Sequence, residues 1–206
     1  MKLKKISEKE WKKFADKNSE ITFYQTKEWA NLKSKNNWQA HYLILEEDNK
    51  IIAGSLILSK TLPIIHKKMF YAPRGFLLDY KDKNILKNFT KNLKEYAKKE
   101  NAIFVKIDPY VEYKERNNNG DIVKDGIDNS ITVDNLKELG YKHFGFNLMQ
   151  DTLQPRWMHV IETENKSLDD IMKDMESKTR QILRKNERSG LSLIHISEPT
   201  RQAEIS

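Results

Sequence analysis

Four short stretches carry side chains whose types and spacing suit chemistry on an anionic substrate. In "KEWANLKSKNNW", Lys33 and Lys35 stand beside Trp29 and Trp38. A helix end with lysines against an aromatic wall can hold a phosphate; a core tryptophan with solvated lysines is the plainer alternative. In "YAPRGFLLD", Arg74 sits between Pro73 and Gly75 on a turn, where its guanidinium can fork to an anion or simply decorate the turn. In "VKIDPY", Asp108 ends an apolar run that Pro109 stops. Open α/β sheets place ligand-contacting groups at such carboxyl ends, although a strand-end Asp also serves as a turn former. In "SKTRQILRKNER", Arg180, Arg184 and Arg188 recur every four residues with Lys178 and Lys185 nearby. That row cannot be a core; it is a solvated face or an anion contact.

The elements that must position these groups follow from periodicity. "SEKEWKKFADKN" opens with a capping box, Ser7 with Glu10, before Trp11, Phe14 and Ala15 at helical spacing. "QTKEWANLKSKN" predicts a second helix with Trp29, Leu32 and Ala30 inward. "AHYLILEEDNKIIAGSLILSKTL" predicts a hairpin turning at residues 47–50. A strand is expected near Met69 to Ala72, then the Pro-Arg-Gly turn. "NILKNFTKNLKEYAKKEN" gives the clearest helix, with Leu86, Phe89, Leu93 and Tyr96/Ala97 in one stripe. "AIFVKIDP" reads as a short buried strand, and "NNNGDIVKDG" as a polar loop. "NSITVDNLKELG" is a short helix closed by Gly140. "YKHFGFNL" and "RWMHVIET" read as two further strands, and "SLDDIMKDMESKTRQILRKNERSG" as one long helix capped by Ser167 and Asp170. Strands interleaved with helices mean an α/β fold with a mixed sheet.

Composition bounds the function. The chain has 206 residues, 33% of them charged, and a net charge of +7. That balance favours anionic partners such as RNA, phosphorylated metabolites or a membrane surface. There is no cysteine, which excludes disulfides and thiolate metal sites. The charged start "MKLKKISEKEWKKF" is no signal peptide, and no apolar run reaches the roughly 20 residues of a membrane-spanning helix, so a cytoplasmic setting is expected. His41, His66, His143, His159 and His195 lack metal-ligand spacing, and no nucleotide-loop, zinc-protease or serine-hydrolase motif occurs.

The four places occur together, in one order, in a known family. "FYQTKEWANLK", "FYAPRGFLLD", "FVKIDPYVEY", "LKELGYKHFG", "LQPRWMHVIE" and "MESKTRQILRKNERSG" resemble the Fem aminoacyltransferases (FemA, FemB, FemX) over residues 23–190. The resemblance implies two subdomains related to GNAT acetyltransferases: residues 1–153 would form the first, and 154–190 the start of the second with its basic helix. It also implies transfer of an amino acid from aminoacyl-tRNA to the stem peptide of a lipid-linked or UDP-linked muropeptide, building the peptidoglycan interpeptide bridge. No metal or organic cofactor is implied, and the GNAT pyrophosphate loop is absent. Lys33 matches a lysine that contacts the precursor's phosphates, with Lys35 the alternative if the insertion before "NNW" shifts the alignment. Asp108 matches an aspartate near the acceptor amine; whether it takes the proton is left open, because substrate-assisted transfer serves equally. Arg74 and Tyr110 are expected at the same substrate site, and Lys178, Arg180, Arg184 and Arg188 at an RNA or other anion. Work on a lipid-linked precursor implies peripheral contact with the inner face of the plasma membrane. Two other classes fit the same residues: a basic RNA-binding module, and a short homologue that binds without transferring.

Residues 191–206, "LSLIHISEPTRQAEIS", contain neither Lys nor Asn, unlike what precedes them. They resemble the translation of a transposase-type sequencing adapter, although "LSLIHIS" would also pass as a strand. The adapter reading implies a native sequence that departs from this one near Gly190. Family members are about twice as long, so residues 1–206 alone are expected to be inactive.

Overall fold

The computed structural model describes residues 1–18, 21–117, 119–146, 161 and 163–190. They belong to two compact units, Met1–Phe144 and Gly145–Ser206.

The first unit is built on a five-stranded sheet of order β1-β2-β3-β4-β5, comprising Lys2–Lys5, Gln39–Glu47, Lys50–Thr61, Lys68–Ala72 and Ala102–Ile107. The first three pairings are antiparallel and β4–β5 is parallel, so the sheet is mixed, as a hairpin beside strands joined through helices predicts. The β2–β3 hairpin turns through Asp48 and Asn49, both at positive φ (46° and 61°). Asp and Asn tolerate that region best among residues with a side chain.

Each central strand is apolar on both faces because both faces are covered. Leu43, Leu45 and Ile57 point to one side and pack with Phe70, Leu86, Phe89, Leu93 and Ala97. Tyr42, Ile44, Leu56 and Leu58 point to the other and pack with Trp11, Ala15 and Ala30. The first side is roofed by α3 (Lys83–Lys99), whose buried stripe is the predicted one, with Tyr96 packed beside it. Asp82 caps α3 by accepting from the Asn84 and Ile85 amides. Burying each large apolar side chain of that stripe contributes about 2 kcal/mol. The second side carries α1 (Glu8–Ala15) and α2 (Lys27–Ser34). The Ser7/Glu10 capping box starts α1 as expected. On α2, Ala30 is buried and Trp29 half-buried, but Leu32 is exposed, against the expectation that it faces inward.

Two further sequence expectations are corrected in this unit. β5 is not a buried strand: among the described residues it pairs with β4 alone, and Ile103 and Phe104 face solvent. Only its other positions, Ala102, Val105 and Ile107, pack on the α3 side. The strand expected over residues 141–148 does not form at 141–146; the chain there is irregular. Before it, α4 (Ile131–Glu138) ends as predicted at Gly140, with φ 86°. The Tyr141 amide donates to Leu136 O and the Gly140 amide to Lys137 O, closing the end carbonyls.

In the second unit, the long helix expected after Ser167 is two helices, α5 (Leu168–Asp174) and α6 (Ser177–Arg188). Met175 and Glu176 both adopt extended backbone angles and break it. The Ser167/Asp170 capping box is present. The strand expected at "RWMHVIET" falls almost wholly outside the described residues. No helix among the described residues is long and apolar enough to cross a membrane.

Candidate active site

Asp108 lies one residue past the carboxyl end of β5, directly beside the turn that follows β4. Because β4 and β5 are parallel, both strands deliver their carboxyl ends to one place. The pairs Tyr71↔Lys106 and Ala72↔Ile107 set the register. Asp108 Oδ1 accepts from the Arg74 backbone amide at 2.8 Å, and Oδ2 accepts from the Tyr71 hydroxyl at 2.9 Å. Each oxygen keeps a further lone pair for a substrate donor. The Arg74 guanidinium lies 5.4 Å from the centre of the Tyr110 ring, and the Lys106 ammonium 5.8 Å from that of Tyr71. Burial pushes the Asp108 carboxyl above the ordinary aspartate range. The Arg74 amide, the Tyr71 hydroxyl and the Arg74 and Lys106 charges pull the other way without cancelling it. A half-buried carboxylate of raised proton affinity, already oriented by two donors, suits binding or deprotonating an ammonium group.

The turn that supplies the Arg74 amide is held from outside. Arg74 adopts a left-handed φ of 52°, which costs a side-chain-bearing residue roughly 1 kcal/mol. Gln25 fastens the neighbouring peptide. It closes a 3-10 helix at Phe23–Gln25 and is fully buried. Its Nε2 donates to Pro73 O at 2.5 Å and Leu56 O at 3.2 Å, and its Oε1 accepts from the Leu56 amide at 2.7 Å. Its own carbonyl accepts from Trp11 Nε1 at 2.8 Å. Gly75 is needed beside it, since a Cβ there would meet Gln25 Nε2 at 2.8 Å and Ser55 Oγ at 2.9 Å. The chain then returns over β3, where Gly54 and Leu77 exchange both backbone hydrogen bonds.

Thus Asp108, Arg74 and Tyr110, three residues singled out in the sequence, meet in one cluster. Lys33 takes a different partner. It lies in the last turn of α2, half-exposed, with its ammonium 4.6 Å from the centre of the Trp29 ring. Phe23 and Tyr24 meet the same indole edge-on at 5.3 and 4.9 Å, so the aromatic neighbours of Trp29 are these two, while Trp38, the other tryptophan expected in the wall, lies 5.8 Å from the Lys60 ammonium. Lys35 is the exposed C-cap of α2. Gln25 links the two regions, since the 3-10 helix that carries it leads into α2 while its amide holds the Arg74 turn.

The basic row lies on α6 as expected, but its members differ. Arg184, Arg188 and Lys178 are exposed. Arg180 is half-buried and already engaged: its Nη1 donates to Lys173 O and Met175 O, both at 2.8 Å. Those carbonyls are freed by the break after α5, so Arg180 closes a helix end.

Tyr71 and Gln25 were not identified from the sequence. The period-2 alternation of β4 hints that Tyr71 faces away from the core, but its pairing with Asp108 requires the β4–β5 register. Gln25 is a lone polar residue between aromatic neighbours, and nothing local marks it as buried.

A mixed sheet whose parallel pair delivers an oriented carboxylate to an arginine-bearing turn defines an α/β domain with a polar site at its strand ends. The FemAB family model matches residues 6–200, and the chain belongs to that family. The match extends ten residues into the segment that resembles adapter sequence. Among curated relatives, aminoacyltransferase FemA of Staphylococcus epidermidis is 32% identical over 200 residues, 96% of this chain and 48% of the relative. FemA of Staphylococcus aureus strain MRSA252 is 30% identical over 201 residues, again 96% of this chain and 47% of the relative. The crystal structure of FemX superposes with a TM-score of 0.72 at 30% identity, covering 89% of this chain and 43% of that one. The chain spans about half the length of the curated relatives it matches.

Proposed function

We propose that this chain is part of an aminoacyltransferase that moves an amino acid from aminoacyl-tRNA to a stem-peptide amine of a lipid-linked or UDP-linked muropeptide, at the inner face of the plasma membrane. The observation that carries the reading is the Asp108 carboxylate, oriented by the Arg74 amide and the Tyr71 hydroxyl. Membership of the FemAB family and the names of the relatives supply the class of reaction.

The reaction is aminolysis of an ester. The acceptor ammonium gives up a proton, the free amine attacks the aminoacyl carbonyl, and a C–N bond forms. The C–O bond to the ribose then breaks, and a proton passes to the departing ribose oxygen. No covalent enzyme intermediate is required; positioning and charge stabilisation lower the barrier. Asp108 would hold the acceptor ammonium and receive or relay its proton. Arg74, backed by Tyr110, would face an anionic part of the precursor, and Lys33 or Lys35 its phosphates. Lys178, Arg184 and Arg188 would meet the tRNA backbone. Residues 1–206 alone would bind these partners without turning them over, since the relatives are twice as long.

The test is steady-state transfer by the full-length product of the native gene, with charged tRNA in excess and muropeptide varied. Transfer that needs both the 3′-aminoacyl group and the muropeptide amine is expected. Equal binding of charged and uncharged RNA with no transfer would replace this reading with that of an RNA-binding module.

A further inference from the structure

The turn between β3 and β4 is closed by the Leu62 amide donating to Lys67 O at 2.8 Å and the His66 amide donating to Leu62 O at 3.0 Å. Everything from Pro63 to Lys67 is exposed. Ile64 is 92% and Ile65 51% exposed, so two adjacent β-branched aliphatics stand in water at the tip of a hairpin. Isolated exposed aliphatics are ordinary, but an apolar tip ringed by charge marks a contact surface.

The ring is basic. Lys60 and Lys68 sit on the two strands that lead to the tip, and Lys67 is part of it. The end of α3 joins the same place: the Lys68 amide donates to Asn101 O at 3.0 Å, and Lys67 Nζ to Asn101 Oδ1 at 2.6 Å. That brings in Lys98 and Lys99, exposed in the last turn of α3. Glu100, paired with Lys68 at 2.7 Å, is the carboxylate set among these five lysines.

We infer that this hairpin tip inserts into the interfacial region of an anionic lipid leaflet, with Ile64 and Ile65 entering the acyl boundary and the surrounding lysines meeting lipid phosphates. Aliphatic side chains need an apolar medium and the lysines need anions; an anionic leaflet offers the two within a few ångströms of each other. RNA offers only the anions: bases could stack on His66 or on Trp38, 5.8 Å from the Lys60 ammonium, but Ile64 and Ile65 would stay in water. A second copy of the chain would bring its own lysine ring against this one. The inference deepens the membrane-side setting proposed above, but its test needs no turnover and stands or falls without it.

The experiment is co-sedimentation of the 206-residue chain with vesicles of phosphatidylcholine alone and of equal parts phosphatidylcholine and phosphatidylglycerol. Binding to the anionic vesicles only is expected. The Ile64→Ser/Ile65→Ser variant should bind them about tenfold more weakly with an unchanged melting temperature. Each Lys→Gln change at Lys67 or Lys99 should cost about fivefold at low salt. Since the chain has no native cysteine, Ile64→Cys bearing an environment-sensitive fluorophore reports insertion directly, as a blue shift with anionic vesicles. Failure of the wild-type chain to pellet, or equal pelleting by the double serine variant, would overturn the inference. So would concentration-dependent self-association that the serine variant abolishes while vesicles remain unbound.

Discussion

Asp108 and Arg74 are joined by a backbone hydrogen bond rather than by a direct ion pair. The carboxylate takes the Arg74 amide at 2.8 Å, while the guanidinium lies over Tyr110. The arginine charge is therefore not consumed in an ion pair with Asp108, and the two groups can serve different parts of one substrate.

If the full-length product of the native gene transfers as proposed, Asp108→Asn should lower kcat by roughly a hundredfold or more, as loss of a group that receives the proton does, and change the muropeptide KM much less. Because burial holds the Asp108 carboxyl above its usual range, the acid limb of the wild-type rate profile should lie at higher pH than an unperturbed aspartate would give. Loss of that limb in the variant identifies it. An unchanged kcat and profile would remove Asp108 from the chemistry.

Gln25→Ala should destabilise the first unit by about 3 kcal/mol, because the Leu56 amide and the Leu56 and Pro73 carbonyls lose their partner in a buried place. Gln25→Glu should cost at least as much at neutral pH despite its nearly identical shape, since a carboxylate would face two carbonyl oxygens. Denaturant unfolding of the 206-residue chain measures both; a neutral Glu variant would mean that shape alone matters there.

His41 gives a pH dependence of stability with a defined sign. It is fully buried between the Tyr96 hydroxyl at 2.7 Å and Ser59 Oγ at 2.8 Å. Burial, with Lys5 and Lys68 adding to it against the pull of Glu100, lowers its pKa from 6.5 to about 4. Above pH 6.5 the ring is neutral in both states and the stability is complete. As the pH falls towards 4 the unfolded chain binds the proton first, and up to about 3 kcal/mol is lost. Melting temperatures read between pH 7 and 5 should fall in the wild type and stay nearly flat in His41→Gln.

The exposed part of the α6 row should show in salt dependence. Arg184→Ser with Arg188→Ser should reduce the slope of log K against log salt for single-stranded RNA by about 1.4. Arg180→Ala should instead loosen the α5–α6 junction, seen as faster amide exchange there, because its guanidinium holds the Lys173 and Met175 carbonyls.

Amplification of the native locus across codon 190 tests the reading of residues 191–206. A frame that leaves this sequence near Gly190 and continues for on the order of 150 to 200 residues is expected. A native stop codon directly after Ser206 would refute it.

What the sequence disclosed was whatever short-range physics decides. The α3 stripe, both Ser capping boxes, the Gly140 helix end and the 47–50 hairpin each follow from neighbours within a few residues. Asp108 was legible because Pro109 marks where its strand must stop. The rest depended on contacts made over long separations. β5 has an apolar sequence but among the described residues pairs on one side only, and strand order is not written in the strand itself. The helix break at Met175 and Glu176 has no Pro or Gly to announce it; its freed carbonyls are met by Arg180. Gln25 and Tyr71 become meaningful only once residues 31 and 37 positions away are brought beside them.

The strand order also bears on how the first unit is made. Each strand pairs with the strand that precedes it in the chain, from Lys2 to Ile107. A chain emerging from the ribosome therefore presents each new strand of these five to an edge that already exists, and among the described residues no strand is threaded between two others. The parallel step alone must wait for α3 to be synthesised, and that helix, 17 residues long with an Asp82 cap, is the longest among the described residues. Assembly can follow synthesis, with few exposed edges left open to neighbouring nascent chains.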